Sequence, residues 1–344
     1  MEYFKYVGVG QRESRYFASW RGGSSIVVLI GHGFDIFQQH PHPIWGVLAT
    51  SSVLIFFALS GFFIHKALAK SISIGNLQNF LIGRINRIFP PFIFSVILII
   101  ILWMLAPLAF AGGDRSFMTI TGRSGFSLDG LVPSILFLNG FAGPTLSANG
   151  PLWSLSYEVW YYLIAFLIGI ATVHRYRWLA VLAVILTLAL TFANPRFAIF
   201  GTIWLAGFGL SALHGAGRIP KVPEFPFLVA AILLVALAAI EVARGAQLIA
   251  NLVVGGWFIV HMMRVLRGGR CWTNDALEWS SHFAYALYVL HFPLLLFAYG
   301  ASGERSWLMG PALLLIFGAI ALFGTRLESM KLIRQRSGNR SAHP

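Results

Sequence analysis

Charged residues are scarce in this sequence, and acidic residues are the scarcest of them. Asp, Glu, Lys and Arg make up 11% of the 344 residues, and only 12 side chains are acidic, whereas about 25% charged residues is usual for a soluble domain. Hydrophobic residues reach 57%. This composition excludes a soluble globular domain and predicts an all-α integral membrane protein.

Cysteine is nearly absent as well. Cys271 stands alone, so a disulfide framework is excluded, and we interpret its thiol as having no functional role. The sequence has no repeat of fixed period and no low-complexity tract. We expect no cleaved signal peptide, because the first apolar run is short and "GHG" follows it without a small-residue cleavage site.

Long apolar runs are what the sequence has in abundance. At about 1.5 Å per residue each run is long enough to cross a hydrocarbon core of about 30 Å. They predict one transmembrane domain over residues 1–344, built as a bundle of about ten helices with mostly short connections. The predicted spans lie near residues 22–39, 44–65, 90–111, 152–173, 178–194, 196–213, 225–243, 246–263, 281–300 and 307–326.

Lys and Arg are distributed unevenly between the two sides of these spans. Twenty of the 25 fall in the two termini and in the connections on the same side. The positive-inside rule therefore predicts a multi-pass protein of the cytoplasmic (inner) membrane with both termini in the cytoplasm. The Lys and Arg residues on the predicted cytoplasmic side account for the net charge of +13. We therefore expect no binding of nucleic acid.

Two connections are longer than the rest. The inner one contains "NFLIGRINRIFPPF", whose helical pattern we expect to end at Pro90 and Pro91, because proline stops one helix and can open the next. The outer one, residues 112–151, is glycine-rich and polar, and loops of this length are usually functional or disordered. Within it, "LVPSILFLNGF" is consistent with a short interfacial helix.

The first predicted span and the residue just before it carry three ionisable residues. Arg21 and His32 are eleven residues apart, so on a helix they share one face to within roughly 20° and lie about 16 Å apart along the axis. An ionisable group near the membrane midplane is a functional candidate by default. The alternative is a core histidine bonded to a neighbouring carbonyl. Asp35 either orients the His32 ring or marks the outer water boundary.

Two later spans also contain polar residues. Glu158 is predicted about two turns below the outer surface, where a carboxyl group must be paired or protonated. In "YALYVLHFPL", Tyr285 is interpreted as structural, Tyr288 is left open, and His291 is placed near the midplane. Gly61 in "FFALSGFFI" favours close helix packing.

Arg84 and Arg87 lie three residues apart on the short inner helix. Both guanidinium groups can therefore point at one anion, and Arg is favoured where phosphate is bound through two hydrogen bonds. Arginines that set topology or contact lipid headgroups are the alternative.

At these residues the sequence resembles the acyltransferase 3 family of membrane O-acyltransferases. The resemblance is carried by Arg21 with His32, by "FFALSGFFI" (56–64), by the R-x-x-R pair in "RINRIFPPF", by "WSLSYEVWYYL" (153–163) and by "YALYVLHFPL" (285–294). Two departures stand out. Ser19 and Trp20 replace the acidic residue usual before the arginine, and Val159 replaces the second carboxylate usual after Glu158.

The resemblance implies ten transmembrane helices, a cytoplasmic acyl-CoA donor, by default acetyl-CoA, and an acceptor modified at the far side of the bilayer. It implies that His32 is catalytic, that Arg21 is its essential partner, and that Arg84 and Arg87 engage CoA. No permanently bound cofactor and no metal site are expected. The residues that we expect to contact the substrates are Tyr288, His291, Trp153 and Asp35.

Our hypothesis is that uncharged His32 acts as a general base on an acceptor hydroxyl or as a transient acyl relay. Glu158 would position the acceptor or share its proton. The acceptor class is a surface or exported glycan, free or lipid-linked, and a small osmolyte or a lipid is an alternative. A separate periplasmic acyltransferase could complete the transfer. The rival function is a glycan transporter or flippase, since intramembrane histidines also suit proton coupling.

Overall fold

The computed structural model describes residues 4–38, 42–119, 122–174 and 176–333. Within these ranges ten helices of 17 or more residues overlap, in order, the ten predicted spans, and two short helices lie between them. Two of the long helices, α1 and α3, begin well before their predicted spans. The helices are α1 Gln11–Phe37, α2 Ile44–Ser73, α3 Gln78–Ala109, α4 Leu131–Ile135, α5 Leu152–His174, α6 Arg177–Ala193, α7 Arg196–Gly215, α8 Glu224–Ala243, α9 Gln247–Leu266, α10 Asp275–Ser280, α11 Ala284–Ala301 and α12 Met309–Ser329.

The helices confirm an all-α polytopic membrane protein. In the described part of the chain, seven helical segments are long and apolar enough to cross a membrane: α2, α3, α5, α7, α9, the α10–α11 unit and α12. Large apolar side chains point outward from several of them, including Leu108 on α3 and Leu322 on α12. Such surfaces are stable when they face lipid, because lipid tails are as apolar as these side chains. The helices also satisfy their own backbone hydrogen bonds there.

The predicted helix end at Pro90 and Pro91 is wrong. Both prolines lie inside α3, which runs unbroken from Gln78 to Ala109 and also contains Pro107. Proline removes the hydrogen bond to the carbonyl four residues earlier, and neighbouring groups can satisfy that carbonyl instead. Pro107 frees the Trp103 carbonyl, which accepts a hydrogen bond from Arg115 Nε at 3.1 Å.

The long connection between α3 and α5 is largely ordered over its described residues. Strands β1 Ser116–Thr119 and β2 Gly122–Gly125 pair antiparallel, and the five-residue helix α4 occupies the start of the stretch where we predicted an interfacial helix. Asn149, at the end of this connection, donates its Nδ2 hydrogen to Val289 O at 2.8 Å. The loop is thereby attached to the centre of α11.

One end of the bundle gathers most of the described basic residues, and we call it the basic end. It is formed by the starts of α1, α3, α6, α8 and α10 and by the ends of α2, α5, α7, α9 and α12. Lys66 Nζ donates to Val7 O at 2.6 Å, and Asn86 Nδ2 donates to Ile333 O at 2.7 Å. Both ends of the described chain therefore lie there. Four arginines counted in the topology prediction lie outside the described residues: Arg175, Arg334, Arg336 and Arg340.

Helix α1 packs inside the bundle against α2, α10 and α11. Its closest approach is at Gly22, where an added Cβ would lie 1.9 Å from Leu277 O. At the adjacent Gly23 the nearest atom would be Leu277 Cδ1, at an ordinary 3.4 Å. The close packing of α1 against α10 fixes the position of Arg21.

We expect Gly22→Ala to lower the thermal unfolding midpoint of the detergent-solubilised protein, because overpacking against a backbone carbonyl costs about 1–3 kcal/mol. The matched variant Gly23→Ala should leave the midpoint unchanged or raise it slightly, since alanine is favoured over glycine within helices by roughly 0.5–1 kcal/mol. Equal midpoints for the two variants would contradict this packing.

Candidate active site

A cavity of about 390 Å³ lies among α1, α2, α3, α5 and α11. Five of the nine predicted site residues line it together, although they come from four different helices. They are Arg21, Arg84, Arg87, Glu158 and Tyr288. The structure thus assembles one polar site from residues spread over most of the chain.

The three arginines form the basic wall of this cavity. The Nε atoms of Arg21 and Arg84 are buried and have no hydrogen-bond partner. The Arg84 guanidinium lies 5.9 Å from the Tyr162 ring centroid, in cation–π geometry. Buried guanidinium hydrogens without an acceptor make this wall suited to bind an anion.

Glu158 faces the same cavity as the arginines. Its Oε1 accepts a short hydrogen bond from the Tyr162 hydroxyl, whose oxygen lies 3.1 Å from Ser60 Oγ. Trp204 Nε1 donates to Ser60 Oγ at 3.3 Å. This chain of hydrogen bonds holds the carboxylate in place and partly balances the charge of the guanidiniums.

Ser60 and Gly61 occupy the close contact between α2 and α7. An added Cβ at Gly61 would lie 2.0 Å from Trp204 O. The packing predicted for this glycine is therefore confirmed, and Ser60 in addition lines the cavity.

Tyr288 and Ser154 line the end of the cavity farthest from the basic end. The Tyr288 hydroxyl donates to Pro151 O at 2.9 Å and lies 2.5 Å from Ser154 Oγ. Two contacts therefore fix the tyrosine ring. Tyr285, interpreted as structural, donates from its hydroxyl to Ile88 O at 3.1 Å and so joins α11 to α3.

The two histidines lie next to each other but do not line the cavity. Their ring centroids are 5.3 Å apart and the rings are stacked. The His32 side chain is 21% exposed, and its Nδ1 is 3.6 Å from Asp35 Oδ2, which is too long for a direct hydrogen bond. His291 is fully buried, and its ring centroid lies 6.0 Å from that of Tyr288.

Trp153 also lies outside the cavity lining. Its ring packs against aromatic neighbours, with centroid distances of 5.2 Å to Tyr157 and 5.7 Å to Phe200. The structure thus separates the nine predicted site residues into three places: the cavity, the histidine pair with Asp35, and this aromatic cluster.

Glu328 is a site residue that the sequence analysis missed. Its side chain is 7% exposed, and Oε2 lies 3.4 Å from Arg87 Nη1. Oε1 accepts hydrogen bonds from Tyr285 N at 2.8 Å and Ala286 N at 3.1 Å. These amides begin α11 and have no acceptor within their own helix. The only sequence signal is an acidic residue just beyond the last predicted span.

We expect Glu328→Ala to destabilise the protein by roughly 2–4 kcal/mol, because each buried amide left without an acceptor costs about 1–3 kcal/mol. Glu328→Gln keeps a carbonyl oxygen for both amides and should lose less than half as much. Thermal unfolding of the two purified variants measures the difference. Identical losses would show that the carboxylate does not cap α11.

A family model for the acyltransferase domain of the acyltransferase 3 family matches residues 15–325, nearly the whole chain and every site residue except Glu328. No curated protein and no solved structure matches the chain significantly. The chain belongs to the acyltransferase 3 family of membrane acyltransferases.

Proposed function

We propose that the protein transfers an acyl group, acetyl by default, from cytoplasmic acyl-CoA to a hydroxyl group of a surface or exported glycan. The observation that carries this proposal is the cavity wall of Arg21, Arg84 and Arg87, in which two buried guanidinium Nε atoms have no partner. CoA is a polyanion, and its phosphate groups are ligands that arginine prefers.

We place the basic end of the bundle in the cytoplasm, where the positive-inside rule puts it. The protein is then a component of the cytoplasmic membrane, and both ends of its chain face the cytosol. CoA enters the cavity from this side with its phosphates at the arginines. Its pantetheine arm and thioester extend toward Tyr288.

In the proposed reaction the acceptor oxygen forms a bond to the acyl carbon, the C–S bond breaks, and the hydroxyl proton ends on the CoA thiol. His32 acts as the general base or as a transient acyl relay. His32 does not line the cavity. It stacks on His291, whose ring centroid lies 6.0 Å from that of Tyr288, so the thioester must extend past Tyr288 to reach it. Arg21 steadies the donor, and Glu158 balances the charge of the wall beside Arg84.

Incubation of the purified protein with labelled acetyl-CoA tests the proposal. We expect release of free CoA and incorporation of label into glycan when membranes that contain the acceptor are added. Label that leaves acetyl-CoA only when a separate periplasmic acyltransferase is present would assign the final transfer to that partner. A glycan transporter would release no CoA, and this outcome would overturn the proposal.

A further inference from the structure

His291 is the one histidine of the pair whose hydrogen-bonding state the structure defines. Its Nδ1 lies 3.0 Å from Leu287 O and 2.8 Å from Tyr288 O. A carbonyl oxygen can only accept, so the hydrogen of the neutral ring must be on Nδ1. Nε2 therefore carries the lone pair and can only accept a hydrogen bond.

No described group donates to this nitrogen. Nε2 of His291 is buried and has no hydrogen-bond partner. The His32 ring is stacked on it at an interplanar angle of 26°, so the N–H bonds of His32, which lie in its ring plane, are not directed at Nε2. A buried acceptor without a donor is rare in native proteins and requires an explanation, of which a catalytic role is one.

The donor that reaches Nε2 can be identified by its chemistry. The CoA thioester offers only a sulfur and a carbonyl oxygen, and neither is a donor. A hydroxyl group on the acceptor is the donor that the proposed reaction brings to this place, because its oxygen must approach His32. The His32 ring stacks on that of His291, and the His32 side chain is 21% exposed.

We propose that Nε2 of His291 accepts a hydrogen bond from the acceptor hydroxyl, which makes His291 a catalytic residue beside His32. This inference rests on the proposed acyltransferase function. The hydrogen bond orients the acceptor oxygen toward the acyl carbon, and the two backbone carbonyls keep the imidazole in the accepting tautomer. The inference commits the acceptor to a hydroxyl-bearing compound.

Two substitutions separate the two nitrogens of this ring. In His291→Asn the amide NH₂ takes the place of Nδ1 and can still donate to the backbone carbonyls, but nothing replaces Nε2. In His291→Gln the amide oxygen reaches the place of Nε2 and can still accept. Transfer is measured as label moved from acetyl-CoA to glycan in membrane vesicles of cells that lack their own copy, and CoA affinity is measured on the purified variants.

We expect His291→Asn to reduce transfer by about 10- to 100-fold, the loss typical of one buried hydrogen bond, with CoA affinity within about twofold of wild type. His291→Gln should retain at least about tenfold more transfer than His291→Asn. Wild-type transfer by His291→Asn, or equal transfer by the two variants, would overturn the inference and leave the proposed function intact. A wild-type protein that moves no label would overturn both, and unchanged CoA affinity shows that each variant is folded.

Discussion

Replacement of His32 by alanine should reduce acyl transfer by about 10²–10⁴-fold, the contribution of a well-placed general base or acyl carrier. CoA affinity should stay within about threefold of wild type, because His32 lies outside the cavity that the arginines line. Stability should change little, since the His32 side chain is partly exposed and the structure gives it no close hydrogen bond. The measurements are initial rates of CoA release and equilibrium binding of CoA.

A matched control for this experiment is His282→Ala. His282 is exposed, and its Nδ1 lies 2.9 Å from the carbonyl oxygen of Trp279 in the preceding helix. This variant should transfer acyl groups at the wild-type rate. If His32→Ala keeps more than a few per cent of wild-type activity, His32 is not part of the chemistry. If it loses CoA binding together with transfer, its role is in donor binding.

The positions of the long helices were predictable from hydropathy because each span needs about 20 consecutive apolar residues. The continuity of α3 was not predictable in the same way. A local rule for proline says that Pro90 and Pro91 end a helix, and the structure keeps α3 unbroken through both. Tertiary contacts decide whether a carbonyl that a proline leaves without its helical partner finds another donor. The hydrogen bond from Arg115 Nε to the Trp103 carbonyl, four residues before Pro107, is an example.

Individual polar residues of the cavity could be predicted from the sequence. Which of the predicted residues would line the cavity together could not. Ionisable groups in apolar helices identified Arg21 and Glu158, since such groups are costly unless they face a polar interior. Helical periodicity also put His32 on the face of Arg21, and on that basis it should share the same space. The cavity does not extend along that face of α1. Beyond Arg21 it is lined by α2, α5 and α11 instead.

The role of Glu328 could not be predicted from the sequence either. It is far from the arginines in the chain, and its two roles depend on contacts with α11 and with Arg87. Neither contact follows from local periodicity. A glutamate at the end of an apolar helix is equally consistent with a solvated boundary residue.

Simultaneous replacement of Arg84 and Arg87 by glutamine should weaken CoA binding by about 10²–10⁴-fold, the effect of losing one charged hydrogen bond at each position. Each lost hydrogen bond to a charged group costs roughly 1.5–3 kcal/mol, and both side chains line the cavity. Binding of pantetheine should change by less than about threefold, because this ligand lacks the phosphate groups that the two arginines would bind. The loss of CoA affinity in the double variant should also be smaller at high salt, because salt screens the attraction between the partly exposed Arg87 and CoA.

The control for this loss of charge is Arg177→Gln, at an exposed position at the start of α6 that does not line the cavity. It removes one positive charge from the same end of the bundle and should leave CoA affinity unchanged. If this variant weakens CoA binding as much as the double variant does, CoA is attracted by the overall positive charge of the basic end. If the double variant binds CoA like wild type, the arginines set topology or contact lipid, and the donor site lies elsewhere.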